Sequence, residues 1–133
     1  MLELEISEVS KLTGLKAHNL RYYESIGLIK DIKRNGAGKR IYTEQDLKWL
    51  EVINRLRETG MNINKMTEYA RLRHMGDDTI FERKHIMEEH LEAINTEIDK
   101  LLEARNYVKK KIAIYNEMEE KIYGSGKQVW KRI

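Results

Sequence analysis

Asn19, Arg21 and Tyr22 fall on one short run whose side chains match the chemistry of duplex DNA. Amide and guanidinium groups read base edges, while cations and hydroxyls hold phosphate oxygens. Around them, residues 16–40 hold seven Lys or Arg (Lys16, Arg21, Lys30, Lys33, Arg34, Lys39, Arg40) against two acids, Glu24 and Asp31. Base-reading and phosphate-seeking groups on one short helix inside a basic segment are what a duplex reader requires. An exposed basic helix without a partner is the plainer reading, and the flanking residues weigh against it.

The charge is unevenly spread. Residues 1–74 carry 14 basic and 10 acidic side chains, a net of +4, and residues 75–133 carry 11 and 12, a net of −1. The positive field therefore belongs to the N-terminal half. There is no cysteine, which excludes a disulfide framework, a thiolate metal site and a thiol nucleophile, and is compatible with a cytoplasmic location. No apolar run approaches the ~20 residues that span a bilayer, and the first residues lack a signal peptide's pattern, so no membrane is expected as a partner. No nucleophile with its base, phosphate loop or ligand set is present. No enzymatic activity, cofactor or metal is expected. His85 and His90 lie five apart, off the spacing that puts two ligands on one helix face.

The elements that must position the reading run follow from periodicity. Ile6, Val9 and Leu12 recur at helical spacing, with Ser7 as a cap and Gly14 as a stop. A turn at Gly14-Leu15-Lys16 leads to a second helix near 17–25, with Leu20 and Tyr23 inward. Two short helices about such a turn form a helix-turn-helix. Ile32-Lys33-Arg34 and Lys39-Arg40-Ile41-Tyr42 flank the glycines of 35–38 and predict a hairpin. Its four cations fit a wing along a phosphate backbone; an ordinary surface hairpin is the alternative. Thr43 with Asp46 forms a capping box for a third helix striped by Leu47, Leu50, Ile53 and Leu56, ending at Gly60. Asn62 caps a fourth helix carrying Ile63, Met66, Tyr69 and Ala70.

Past Gly76 the pattern changes. Thr79 with Glu82 reads as a capping box, and no helix breaker follows until Gly124. Ile80, Met87, Leu91, Ile94, Ile98, Leu101, Val108, Ile112 and Tyr115 follow alternating steps of three and four, with Lys84 and Arg105 in two further slots. This is a coiled-coil seam. Residues 79–122 as one helix would extend about 65 Å. Either a second copy covers the seam or it folds back on the N-terminal half. Arg105 costs stability there and is a candidate for fixing register. Residues 124–133 read as a flexible joint and an amphipathic end, with Trp130 either docked on a partner subunit or disordered. The expected fold class is mainly α: a winged helix-turn-helix domain over 1–75, a dimerisation helix over 76–123 and a tail over 124–133.

This order of elements, with Arg21-Tyr22-Tyr23-Glu24-Ser25-Ile26-Gly27-Leu28 and Arg40-Ile41-Tyr42-Thr43-Glu44-Gln45-Asp46-Leu47, resembles the MerR family of bacterial transcription regulators. The likeness is close over residues 4–73 and looser through the heptads, where it resembles the small members with minimal effector regions. The resemblance implies a homodimer joined through an antiparallel coiled coil, with a reader at each end. It implies binding to a pseudo-palindromic promoter operator, whose overlong spacer is bent and untwisted for RNA polymerase. It places Lys16, His18, Asn19, Arg21 and Tyr22 in the recognition-helix contact slots, with Arg40 as the wing arginine and Asn62 as a backbone-contacting cap. Lys33, Arg34, Lys39 and Tyr42 are assigned to the same DNA interface. Lys16 stands where the family often has Ser or Thr, and Lys39 where Tyr is usual. The family's metal sensors carry cysteines that this chain lacks, so the effector is either a small molecule held between rod and reader or nothing. An architectural DNA-bending or excisionase-like protein without effector is the alternative function.

Overall fold

The computed structural model describes residues 2–124, and the tail expected beyond Gly124 lies outside them. Those residues form two compact units, residues 2–90 and residues 91–124, each treated by itself below.

The first unit begins with β1 (Glu3–Glu5), α1 (Ile6–Thr13) and α2 (Ala17–Ser25). The hairpin β2 (Lys33–Arg34) and β3 (Arg40–Thr43) comes next, then α3 (Glu44–Glu58) and α4 (Ile63–Met75). A 3₁₀ turn at Asp77–Thr79 leads into α5 (Ile80–Tyr123), whose first residues belong to this unit. The sheet runs β1-β3-β2, both pairs antiparallel, with Leu4 opposite Tyr42 and Arg34 opposite Arg40. Strand β1 is not foreseen in the reading above, although Leu2-Glu3-Leu4-Glu5-Ile6 alternates apolar and polar residues as a half-buried strand does, and Leu4 is the residue it buries.

The helix ends explain why the chain turns where it does. Gly14 closes α1 with φ +75°, a left-handed conformation that glycine adopts without strain, and its N–H donates to Ser10 O at 2.9 Å. At the other end the cap is Glu5, not Ser7: the Glu5 N–H donates to Glu8 Oε1 at 3.2 Å. An acid at that third position also suits the positive end of the helix. The Thr43–Asp46 box stands as expected, each side chain bonding the other's backbone N–H. Asn62 Oδ1 accepts from the Lys65 N–H at 2.8 Å and starts α4.

Leu20, Leu28, Leu50, Ile53, Val9 and Tyr42 are sealed from solvent at the centre of this unit. Trp49 links three elements there. Its Nε1–H donates to the Leu28 carbonyl at 2.8 Å, its ring stacks on Tyr69 at 5.8 Å, and the Arg73 guanidinium sits 4.3 Å above it. The end of the helix-turn-helix is thereby tied to α3 and α4, and cation–π contact adds to the burial. Asn54 Nδ2 donates to Thr13 O at 2.9 Å, fixing α3 to the turn between α1 and α2.

The compact unit runs past the boundary expected at residue 75. Ile86 is buried and Met87 packs against the same core. Met87 keeps the heptad period and, partly buried, also packs against the reader's own core. Thr79 does not open α5 with a capping box. Its Oγ1 lies 2.6 Å from the Leu72 carbonyl and 2.7 Å from that of Gly76, donating back to the end of α4 and accepting from Arg83 Nε at 3.1 Å. Gly76, at φ +97°, makes the sharp turn that a side chain would strain. Further along, Thr59 Oγ1 and His90 Nε2 stand 2.7 Å apart, joining the end of α3 to α5.

The second unit holds the rest of α5. None of its described residues is buried.

Candidate nucleic-acid interface

Helix α2 buries Leu20 and Tyr23, which puts His18, Arg21, Tyr22 and Ser25 on the opposite face by the three- and four-residue helical step. All four are exposed, and Tyr22 leaves half its surface to solvent. Asn19 is half-buried on the edge of that face. Lys16 is the N-cap with no side-chain cap bond; its carbonyl accepts from the Asn19 and Leu20 N–H groups. The missing hydroxyl leaves the helix's first amides without a side-chain acceptor and puts an exposed ammonium beside them. Amide donors and a cation together favour an anion.

The wing is held open by its tip. Asn35 Oδ1 accepts from the Ala37 and Lys39 N–H groups at 2.9 and 3.0 Å, and Gly38 takes φ +80°. Arg34 Nη1 donates to the Gly38 carbonyl at 2.8 Å, so part of its guanidinium braces the tip and the rest faces outward. Lys33, Arg34 and Lys39 are exposed.

Recognition helix and wing are joined by one ion pair. Arg40 Nε donates to Glu24 Oε1 at 2.6 Å, with both side chains about three-quarters buried. The acid inside the basic segment thus positions its neighbours, fixing the wing against α2. Arg40 also lines an open groove of about 430 Å³ with Arg21, Arg34, Lys39, Gly38, Glu5, Ile6 and Ser7. Arg21, Arg34, Lys39 and Arg40 are thereby brought together from two segments of chain. Lys16, His18, Asn19, Tyr22, Lys33 and Asn62 lie outside that groove, on α2, the wing and the start of α4.

Tyr42 is a correction. The sequence assigns it to the DNA interface, yet its ring is wholly buried on β3 and its hydroxyl has no hydrogen-bond partner among the described residues. Burial pushes the phenol above its ordinary value of 10.0, opposed by the Arg40 charge. A strand alternates faces, so Arg40 and Tyr42 share the inward face, where a long side chain reaches the rim and a ring does not. Glu24 and Ser7 join the site without having been expected there. Opposite charge to Arg40 was a signal for the first; nothing in the sequence marks the second.

No group of acids and histidines among the described residues is placed to hold a metal ion, and none of their helices is long and apolar enough to cross a membrane.

Comparison with known proteins agrees with this geometry. Residues 4–72 match the MerR HTH family regulatory protein model, and residues 47–110 match a second model described as MerR, DNA binding. The HTH-type transcriptional regulator AdhR of Bacillus subtilis is 44% identical over 84 residues, 63% of this chain and 60% of that protein. An uncharacterised HTH-type transcriptional regulator of Haemophilus influenzae is 31% identical over 123 residues, 92% of this chain and 90% of the relative. Among solved structures, HiNmlR, a MerR family regulator lacking the sensor domain and bound to promoter DNA, superposes with a TM-score of 0.81. It is 29% identical, and the match covers 93% of this chain and 97% of that one. With its winged helix-turn-helix matched in sequence and in three dimensions, the chain belongs to the MerR family of DNA-binding transcription regulators.

Proposed function

We propose that two copies of this chain grip one pseudo-palindromic promoter operator and regulate transcription by deforming it. Each copy supplies one reader, and the exposed seam of α5 joins them. Bending and untwisting an overlong spacer costs on the order of a few kcal/mol, which backbone contacts must offset. The groove lined by Arg21, Arg34, Lys39 and Arg40 is the observation that carries the reading. Four cations drawn together from helix and wing, outnumbering Glu5 on the groove and the Glu24 that pairs with Arg40, make a surface that binds an extended polyanion. The likeness to a family member seen on promoter DNA supports the same conclusion.

In this reading His18, Asn19, Arg21 and Tyr22 enter the major groove, Lys16 and Asn62 meet phosphates at two helix starts, and the wing cations follow the backbone. RNA polymerase is the downstream partner on the deformed promoter, in the cytoplasm, and no cofactor takes part. The test is a titration of a duplex carrying the inverted repeat upstream of the protein's own gene or a neighbouring one. Arg21→Ala should weaken binding by about 1–3 kcal/mol, roughly tenfold to a hundredfold, while helicity and assembly are unchanged. Unaltered affinity at matched salt would remove the recognition-helix assignment.

A further inference from the structure

Glu24 stands where simple electrostatics gives an acid no reason to be. It occupies the last turn of α2, whose carbonyl end disfavours negative charge, and that turn carries no basic residue to offset it. It is also one of only two acids in residues 16–40, the segment proposed to meet DNA, where a carboxylate repels phosphate.

The wing explains the placement. Arg34 stands directly opposite Arg40 on the paired strands, and like charges opposed across a ladder destabilise it. Strand β2 has two residues, so few backbone bonds hold the hairpin against that repulsion. Two side-chain bonds relieve it. Arg34 Nη1 donates to the Gly38 carbonyl at 2.8 Å, and Arg40 Nε donates to Glu24 Oε1 at 2.6 Å from a residue 16 positions away. The first closes the wing on itself; the second ties it to α2. With 24% and 27% of the two side chains exposed, the Arg40–Glu24 pair is screened by water and salt less than a surface pair is.

We infer that Glu24 is a specificity-determining residue for DNA binding and that it acts through Arg40. This rests on the DNA reading of the groove and adds what the acid does there. Its carboxylate holds Arg40 and the wing at one spacing from Arg21, so the cations of helix and wing form a preset arrangement. A duplex whose phosphates and base edges match that spacing binds without first having to order the hairpin. A duplex that does not match gains nothing from the arrangement and still meets the repulsion of the acid. Glu24 therefore raises affinity for a matched site and lowers it for other DNA.

The test titrates the full chain, Glu24→Ala and Glu24→Gln at matched salt on two duplexes of equal length. One carries the inverted repeat named above, and the other has that repeat scrambled. Glu24→Ala should weaken binding to the repeat by roughly tenfold and tighten binding to the scrambled duplex by about twofold. Glu24→Gln keeps an acceptor for Arg40 without the charge; it should lose roughly threefold on the repeat and gain about twofold on the scrambled duplex. Should Glu24→Ala lose its fold by circular dichroism, the opposite signs for Glu24→Gln decide the matter alone. In an Arg40→Ala background, Glu24→Ala should cost nothing more on the repeat, since the arginine through which it acts is gone. Tightening on both duplexes would make Glu24 a mere repellent, and equal weakening on both would make the pair general scaffolding; either result overturns the specificity role alone. A parent chain that does not distinguish the two duplexes overturns the DNA reading beneath it.

Discussion

Leu20, Leu28 and Leu50 lie sealed inside residues 2–90, while Leu101, with the same side chain, is 64% exposed on α5. The two regions draw on similar apolar residues and differ in whether one chain is enough to cover them. In the reader, short helical stripes converge from several directions, so each finds a neighbour within the chain. Along residues 91–124 the stripe runs along a single helix, and none of the described residues there is buried. A closed core holds the exposed side chains of α2 and the wing in place; an open apolar seam is a surface of the kind that marks a site of association.

That contrast can be broken from either side. The largest effect is expected at the seam. Leu101→Lys should abolish the dimer in sedimentation and lower the helical signal of α5, leaving the thermal unfolding of the reader in place. An intact dimer would put the interface elsewhere. Next, Trp49→Ala removes a buried ring, its hydrogen bond to Leu28 and the platform under Arg73. It should destabilise the reader by about 3–5 kcal/mol in chemical denaturation and leave coiled-coil association unchanged at temperatures where the reader stays folded. Equal loss in both units would erase the distinction between them.

Much of the architecture was legible because its signals are local. Gly14, the Thr43–Asp46 box, Asn62 and the glycine-tipped hairpin each act within four residues, and the chain obeys them. What escaped required knowing which distant surfaces meet. Strand β1 alternates as a strand does, and it is held because β3 is there to pair with Glu3–Glu5. Met87 keeps the heptad period and is also packed, in part, against the reader's core. Tyr42 looked like a contact because it stands beside Arg40 in a DNA-binding motif, whereas its place in the sheet buries it. Trp49 carried no sign that it would bridge three elements. Of the candidate site, the exposed face of α2 was readable from spacing, and the Glu24–Arg40 pair that fixes the wing to it came only from the fold.

Two smaller effects sharpen the account of the reader. Tyr42→Phe removes a buried hydroxyl that bonds nothing among the described residues, so stability should stay level or rise by up to about 1 kcal/mol, with operator affinity unchanged. A loss of affinity would restore Tyr42 to the interface. The smallest effect concerns His74, whose pKa is held below the ordinary 6.5 by partial burial and then by the Lys30 and Arg73 charges. The folded state therefore takes up that proton less readily than the unfolded chain. Its stabilising share is complete above the unfolded value near 6.5 and is lost as pH falls through that value towards the lower folded one. His74→Gln should flatten that part of the stability profile, measured by urea denaturation between about pH 7 and 5. An unchanged slope would mean that His74 does not feel those cations.

The stoichiometry on DNA tests the whole most directly. Sedimentation of the full chain with a duplex carrying the inverted repeat should give two chains per duplex, with a half-site duplex bound far more weakly at the same salt. One chain per duplex, held equally well by half-site and full site, would contradict a pair of readers joined through α5.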